Sequence, residues 1–143
     1  MTRADFSGVW QLDPAASTFS GPAPASLLMK IDHRGADLEQ QILATDAAGA
    51  ERRQIFTCRI GEETISSIGE TTLHIKAHWD GGELVIETVM SRQGRDLQFR
   101  DHWSLSEDGA TLTMAHRDDA LTGQIVLLTR TEDRAFPAFP TSP

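Results

Sequence analysis

Asp101 is the residue best placed to do chemistry, because of what alternates with it. Taken as a strand, 96–106 (DLQFRDHWSLS) puts Leu97, Phe99, Asp101, Trp103 and Leu105 on one face. Gln98, Arg100, His102 and Ser104 fall on the other. The apolar face belongs inside and carries Asp101 with it. A carboxylate between Phe99 and Trp103 is costly unless it is paired, hydrogen-bonded or protonated. Desolvation would raise its pKa and make it a general acid or base in an apolar cavity. An inward arginine, Arg130 first among them, would instead pair with it and lower that pKa.

The same parity turns other polar groups inward. Leu27, Met29 and Ile31 carry His33, and Leu112 and Met114 carry His116. Either imidazole within reach of Asp101 would form a pair able to shuttle a proton. Each taken alone is a hydrogen-bonded wall residue. Arg130 travels with Val126 and Leu128, although the opposite face of that segment, Ile125 and Leu127, is almost as apolar. Gln40 goes with Leu38 and Ile42, Thr88 with Leu84 and Ile86, and Trp79 with Leu73, Ile75 and Ala77. The expected interior is therefore apolar with a few convergent polar groups, as ligand pockets usually are. Its expected walls are Met29, Ile31, Gln40, Ile75, Trp79, Thr88, Phe99, Trp103 and Met114.

Other site chemistries lack their motifs. There is no Gly-x-Ser-x-Gly, no Cys–His context, no phosphate-cradling loop and no zinc-binding spacing, so neither cofactor nor metal is expected. His74 and His78 are four apart on an outward face, and would need a neighbour such as Glu87 to hold a metal. The single cysteine, Cys58, has no partner for an internal disulfide and is expected as a small buried hydrophobe in a reducing compartment. With 13 Lys plus Arg against 21 Asp plus Glu, the formal charge is −8, which disfavours nucleic acid and anionic membranes as partners. No apolar leader or run of membrane-spanning length is evident, so a bacterial cytoplasm is the expected location.

The elements that must position these residues are short. Glycine-containing breaks punctuate the chain, and between them lie segments of about 7 to 11 residues with period-2 alternation, the signature of an all-β barrel or sandwich. Asp80-Gly81 and Asp108-Gly109 mark hairpins. Strands are expected over 6–12, 26–34, 37–46, 52–60, 71–79, 83–91, 96–106, 111–118 and 123–132. No crossover helix is expected. An antiparallel up-and-down meander of about 8–10 strands removes its edges most simply by closing into a barrel, an open sandwich being the rival. One barrel domain over 1–134 and a Pro-rich tail over 135–143 are expected. Residues 13–25 (DPAASTFSGPAPA) form a long loop, with Phe19 packing over one barrel mouth.

The opening Phe6-Ser7-Gly8-Val9-Trp10-Gln11-Leu12-Asp13 resembles the Gly-x-Trp strand of the calycins. Together with Ala77-His78-Trp79-Asp80-Gly81 and Trp103-Ser104-Leu105-Ser106-Glu107-Asp108-Gly109, it is similar to small bacterial lipocalin-like proteins over most of the chain. The resemblance implies that Trp10 closes one barrel end and that Arg130 packs across its indole. The helix–turn–helix lid that fatty-acid-binding proteins insert after their first strand is missing, and the 13–25 loop takes its place.

Three functions fit. The first is a carrier of a small hydrophobic or aromatic molecule. The second is a cofactor-free lyase, isomerase or cyclase using Asp101 with His33 or His116, and Arg130 as oxyanion partner. The third is a solid-barrel interaction domain that binds a partner through a loop or the Phe136/Phe139 tail. A monomer or homodimer suits all three.

Overall fold

Short alternating segments separated by glycine turns cannot bury their apolar faces singly, and here they do so as one curved sheet. The computed structural model describes residues 4–19, 23–118 and 123–137. The strands are β1 (Gly8–Leu12), β2 (Ser26–Arg34), β3 (Asp37–Thr45), β4 (Glu51–Arg59), β5 (Glu63–Ile68), β6 (Thr71–Asp80), β7 (Glu83–Arg92), β8 (Arg95–Leu105), β9 (Thr111–Asp118) and β10 (Gly123–Thr131). They form a ten-stranded sheet in the order β4-β3-β2-β1-β10-β9-β8-β7-β6-β5. Every sequential pair except β4–β5 is an antiparallel hairpin neighbour, and β1 meets β10 from Val9↔Thr131 to Leu12↔Leu128. The result is a nearly closed barrel with one seam. That seam is bridged near the β4–β5 turn, where Gly61 N–H donates to the Ala77 carbonyl at 2.7 Å and Arg59 N–H to Thr64 Oγ1 at 3.3 Å.

Turn chemistry enforces the meander. The two-residue β7–β8 turn has Gln93 at φ 52° and Gly94 at φ 77°, the positive values that match hairpin twist. β5 corrects the expectation of nine strands. It lies between the glycine breaks at 61 and 69, and its six residues include an Ile65 that is 62% exposed. Thr64 and Ser66, opposite the inward Ile75 and Leu73, are polar, so alternation does not reveal the strand.

One barrel end is packed shut. Trp10 and Phe6 are fully buried, and the Trp10 indole N–H donates to the Phe6 carbonyl at 3.0 Å. The Arg130 guanidinium carbon lies 4.3 Å from the Trp10 ring centroid. Its Nη1 donates to the Ser7 carbonyl at 2.8 Å and its Nε to the Gly109 carbonyl at 3.2 Å. Phe6 stacks with His33 at 5.8 Å and with Trp79 at 6.0 Å, and meets Trp103 edge-on at 5.6 Å.

After β1 the chain continues beside β10. A 3-10 turn at Pro14–Ala16 is capped by Asp13. Thr18 and Ile125 exchange backbone hydrogen bonds of 2.8 and 2.9 Å, and Phe19 packs against the core. Residues 20–22 of the expected loop lie outside the described residues. At the other terminus a 3-10 turn, Asp133–Ala135, lies against β1. Phe136 is buried with 8% exposure, while Phe139 and the rest of the expected tail lie outside the described residues. Among the described residues, no helix is long and apolar enough to cross a membrane.

Candidate functional site

The barrel is not filled. A cavity of about 690 Å³ occupies the half of its interior away from the Trp10 end, so the solid-barrel alternative does not match this interior. Strand register sets the depth of each wall residue. Leu38, Cys58 and Trp103 lie nearest the packed end, while Arg52, Met90 and Gln124 lie nearest the far turns. Between them come Ile75, Thr88, Phe99 and Met114, with Gln40 from β3.

Asp101 and His116 form the polar centre of this wall. They are direct partners in the β8–β9 register, which places both side chains on the inward face. His116 Nδ1 lies 2.6 Å from Asp101 Oδ1, with the side chains 33% and 24% exposed. With a proton on Nδ1, the imidazole donates this bond. The His116 ring also stacks on Phe99, with centroids 5.4 Å apart. The hydrogen bond to Asp101 raises the His116 pKa; burial opposes it, and the charges of Asp101 and Asp118 add to it. The pair can hold a proton at Nδ1 and leave Nε2 to meet a ligand, an arrangement suited to binding a polar group or moving a proton.

Other expected site residues sit elsewhere. His33 lies at the packed end, its side chain only 7% exposed. Its Nδ1 accepts from Phe6 N–H at 3.3 Å and its Nε2 faces the Gly35 carbonyl at 3.1 Å. Those contacts suit a neutral ring protonated on Nε2, and they keep His33 from Asp101. Arg130 is likewise engaged at Trp10, which corrects its expected pairing with Asp101 and its expected place as an oxyanion partner in the cavity. Met29, Ile31 and Trp79 point inward but do not line the cavity. Met29 is buried beside Gln40, whose Nε2 lies 3.1 Å from Met29 Sδ, and Trp79 belongs to the Phe6–His33 stack.

Residues absent from the expected walls include the inward row of β4: Arg52, Gln54, Phe56 and Cys58. Burial pushes the Cys58 thiol up to about 11. Among the described residues, no three metal-ligand side chains converge. His74 instead lies 3.4 Å from Glu63 on the outer face.

No protein-family model matches the chain, and no curated protein matches it. Solved structures do. A secretory abundant heat soluble protein from Ramazzottius varieornatus aligns with a TM-score of 0.68 at 15% identity, over 91% of this chain and 98% of that one. The Schistosoma mansoni fatty acid binding protein, solved in complex with arachidonic acid, gives 0.63 at 13% identity, over 92% and 100%. The fluorescent protein UnaG gives 0.61 at 14% identity, over 88% and 97%. At these identities the likeness concerns the fold, which is the calycin-like barrel of the fatty-acid-binding proteins.

Proposed function

We propose that this protein binds a small hydrophobic or aromatic molecule inside the barrel, in the manner of a bacterial, cytoplasmic, lipocalin-like carrier without a cofactor. The observation that carries this reading is the cavity of about 690 Å³, walled by Ile75, Phe99, Trp103 and Met114 and interrupted by the Asp101–His116 pair. That volume lies within the roughly 300–1,000 Å³ typical of small-molecule sites. Shared topology with a barrel solved in complex with arachidonic acid supports a bound small molecule. The polar centre, Asp101 hydrogen-bonded to His116, supports a ligand that carries a hydrogen-bonding group.

The test uses the neutral fluorophore 1-aminoanthracene. It should bind with about one-to-one stoichiometry, and Thr88→Trp, which places an indole in the cavity, should abolish binding while the circular dichroism spectrum stays native. Undiminished binding to a folded Thr88→Trp protein would place the probe elsewhere and sink the reading.

A second reading is favoured by the 2.6 Å Asp101–His116 contact: proton transfer on a bound substrate, as in a lyase, isomerase or cyclase. His116 would act as the acid/base and Asp101 would hold its tautomer. A bound cyclic ketone such as 2-tetralone should then exchange its acidic C–H protons with deuterium oxide faster than in buffer. Loss of that acceleration in Asp101→Asn, with probe binding retained, supports the enzyme; no acceleration in the parent protein rejects it.

A further inference from the structure

A second concavity lies on the outside of the barrel. It encloses about 580 Å³ over β8, β9 and β10 and is lined by Thr18, Arg100, His102, Arg117 and Ile125 among others. Strand register resolves it into two rows. In one, His102 faces Ala115, Ala115 faces Ile125, and Ile125 faces Thr18. In the other, Arg100 faces Arg117, which in turn faces Gly123. Cations therefore stand side by side along an apolar strip. Gly123 leaves open the space beside Arg117: a Cβ there would lie 4.0 Å from Arg117 Nε.

Like charges directly opposite each other on a sheet are destabilising, and this chain carries 21 acidic residues against 13 basic ones. Elsewhere on the outer face the bases meet carboxylates, as in Arg59–Asp37 at 2.9 Å and Lys76–Glu63 at 3.5 Å. Here, among the described residues, Arg100 has Glu87 at 3.7 Å, His102 has Glu83 at 3.8 Å, and no carboxylate lies within ion-pair range of Arg117. Ile125 is 48% exposed beside them. Two forked guanidiniums match an oxyanion, and Ile125 and Ala115 match a hydrocarbon attached to it.

We propose that this outer groove is a binding site for an anionic amphiphile, an oxyanion headgroup on a short apolar body. Arg100 and Arg117 hold the head, and Ile125 and Ala115 support the body. His116 and Gln124 line both this groove and the cavity, so the two adjoin, but Arg100, Arg117 and Ile125 belong to the outer groove alone.

The experiment titrates the full chain with hexyl phosphate and, separately, with inorganic phosphate, following backbone amide shifts by NMR. Hexyl phosphate should produce saturable shifts at Arg100, His102, Ala115, Arg117, Gly123 and Ile125, with affinity at least tenfold above that for inorganic phosphate. Arg117→Gln and Arg100→Gln relieve repulsion and should fold normally, each weakening binding at least tenfold while 1-aminoanthracene binding is unchanged. Ile125→Ser should weaken hexyl phosphate alone. Shifts confined to cavity residues such as Thr88 and Met114, equal affinity for the two phosphates, or indifference to Arg117→Gln would each overturn the proposal.

Discussion

Asp101 and His116 stand opposite each other on adjacent strands, and their 2.6 Å contact joins the two titratable groups that β8 and β9 bring to the cavity wall. Register creates this contact: a slip of one residue between β8 and β9 would turn one partner out of the barrel. Stacking on Phe99 holds the ring flat against the wall, so the imidazole reaches the cavity with its orientation set.

The pair should govern a proton equilibrium. Its hydrogen bond raises the His116 pKa above the ordinary value of about 6.5. An imidazole raised in the folded state stabilises the fold fully below the unfolded pKa, and that contribution is lost as pH rises through the folded value. Stability should therefore fall from about pH 6.5 upward, and the slope should vanish in Asp101→Asn. The His116 ring protons, followed by NMR, should titrate above 6.5 in the parent and lower in the variant. Titration at or below 6.5 in the parent would refute the pairing.

Cys58 reports on the same cavity from the β4 side. With its thiol pushed up to about 11, the thiolate fraction at pH 8 is on the order of one in a thousand. Reaction with a disulfide reagent should be roughly a hundredfold slower than for free cysteine, and slower still with 1-aminoanthracene bound. Rapid labelling that the probe does not retard would mean that Cys58 is not in the wall of an occupied cavity.

Alternation along the sequence separates inside from outside, and the barrel follows from it. It says nothing of depth. Trp79, His33 and Arg130 share a face with Ile75, Met29 and Val126, yet they sit at the packed end, because depth depends on register with neighbouring strands. β4 escaped for a different reason. In ERRQIFTCR the inward Arg52, Gln54, Phe56 and Cys58 are scarcely more apolar than the outward Arg53, Ile55 and Thr57, since a strand lining a partly polar cavity beside an open seam needs little contrast between its faces. The Asp101–His116 contact joins residues that alternation turns inward separately, and only the β8–β9 register makes them partners.

The packed end offers a test of the barrel closure that we assign to Trp10 and Arg130. Gly8 has φ 141°, and a Cβ there would collide with Arg130 Nη1. Gly8→Ala should cost about 1–3 kcal/mol through backbone strain and displacement of the guanidinium. Arg130→Gln loses the contact over the indole and should cost about 1 kcal/mol. Both act through the same arginine, so the double variant should be less destabilised than the sum in denaturant unfolding. Strict additivity would show that Gly8 and Arg130 are not coupled.

Ser17 governs the segment that follows β1 and runs beside β10. Its hydroxyl accepts from Leu127 N–H at 2.9 Å and donates to the Asp13 carbonyl at 2.7 Å. It thereby completes a ladder that Asp13 N–H begins at the Leu127 carbonyl and Thr18 continues with Ile125. Ser17→Ala leaves Leu127 N–H without this acceptor, at a cost of about 1 kcal/mol. Because the segment packs mainly through these bonds and Phe19, the loss should open it locally rather than unfold the barrel. Amide hydrogen exchange should accelerate about fivefold or more at Thr18, Ile125 and Leu127 while remaining unchanged at Leu112 and Met114. If the segment gates the cavity, 1-aminoanthracene should also dissociate faster with little change in equilibrium affinity. Faster exchange with an unaltered probe off-rate would mean that the segment is a structural strap and that ligands enter elsewhere, as through the β4–β5 seam.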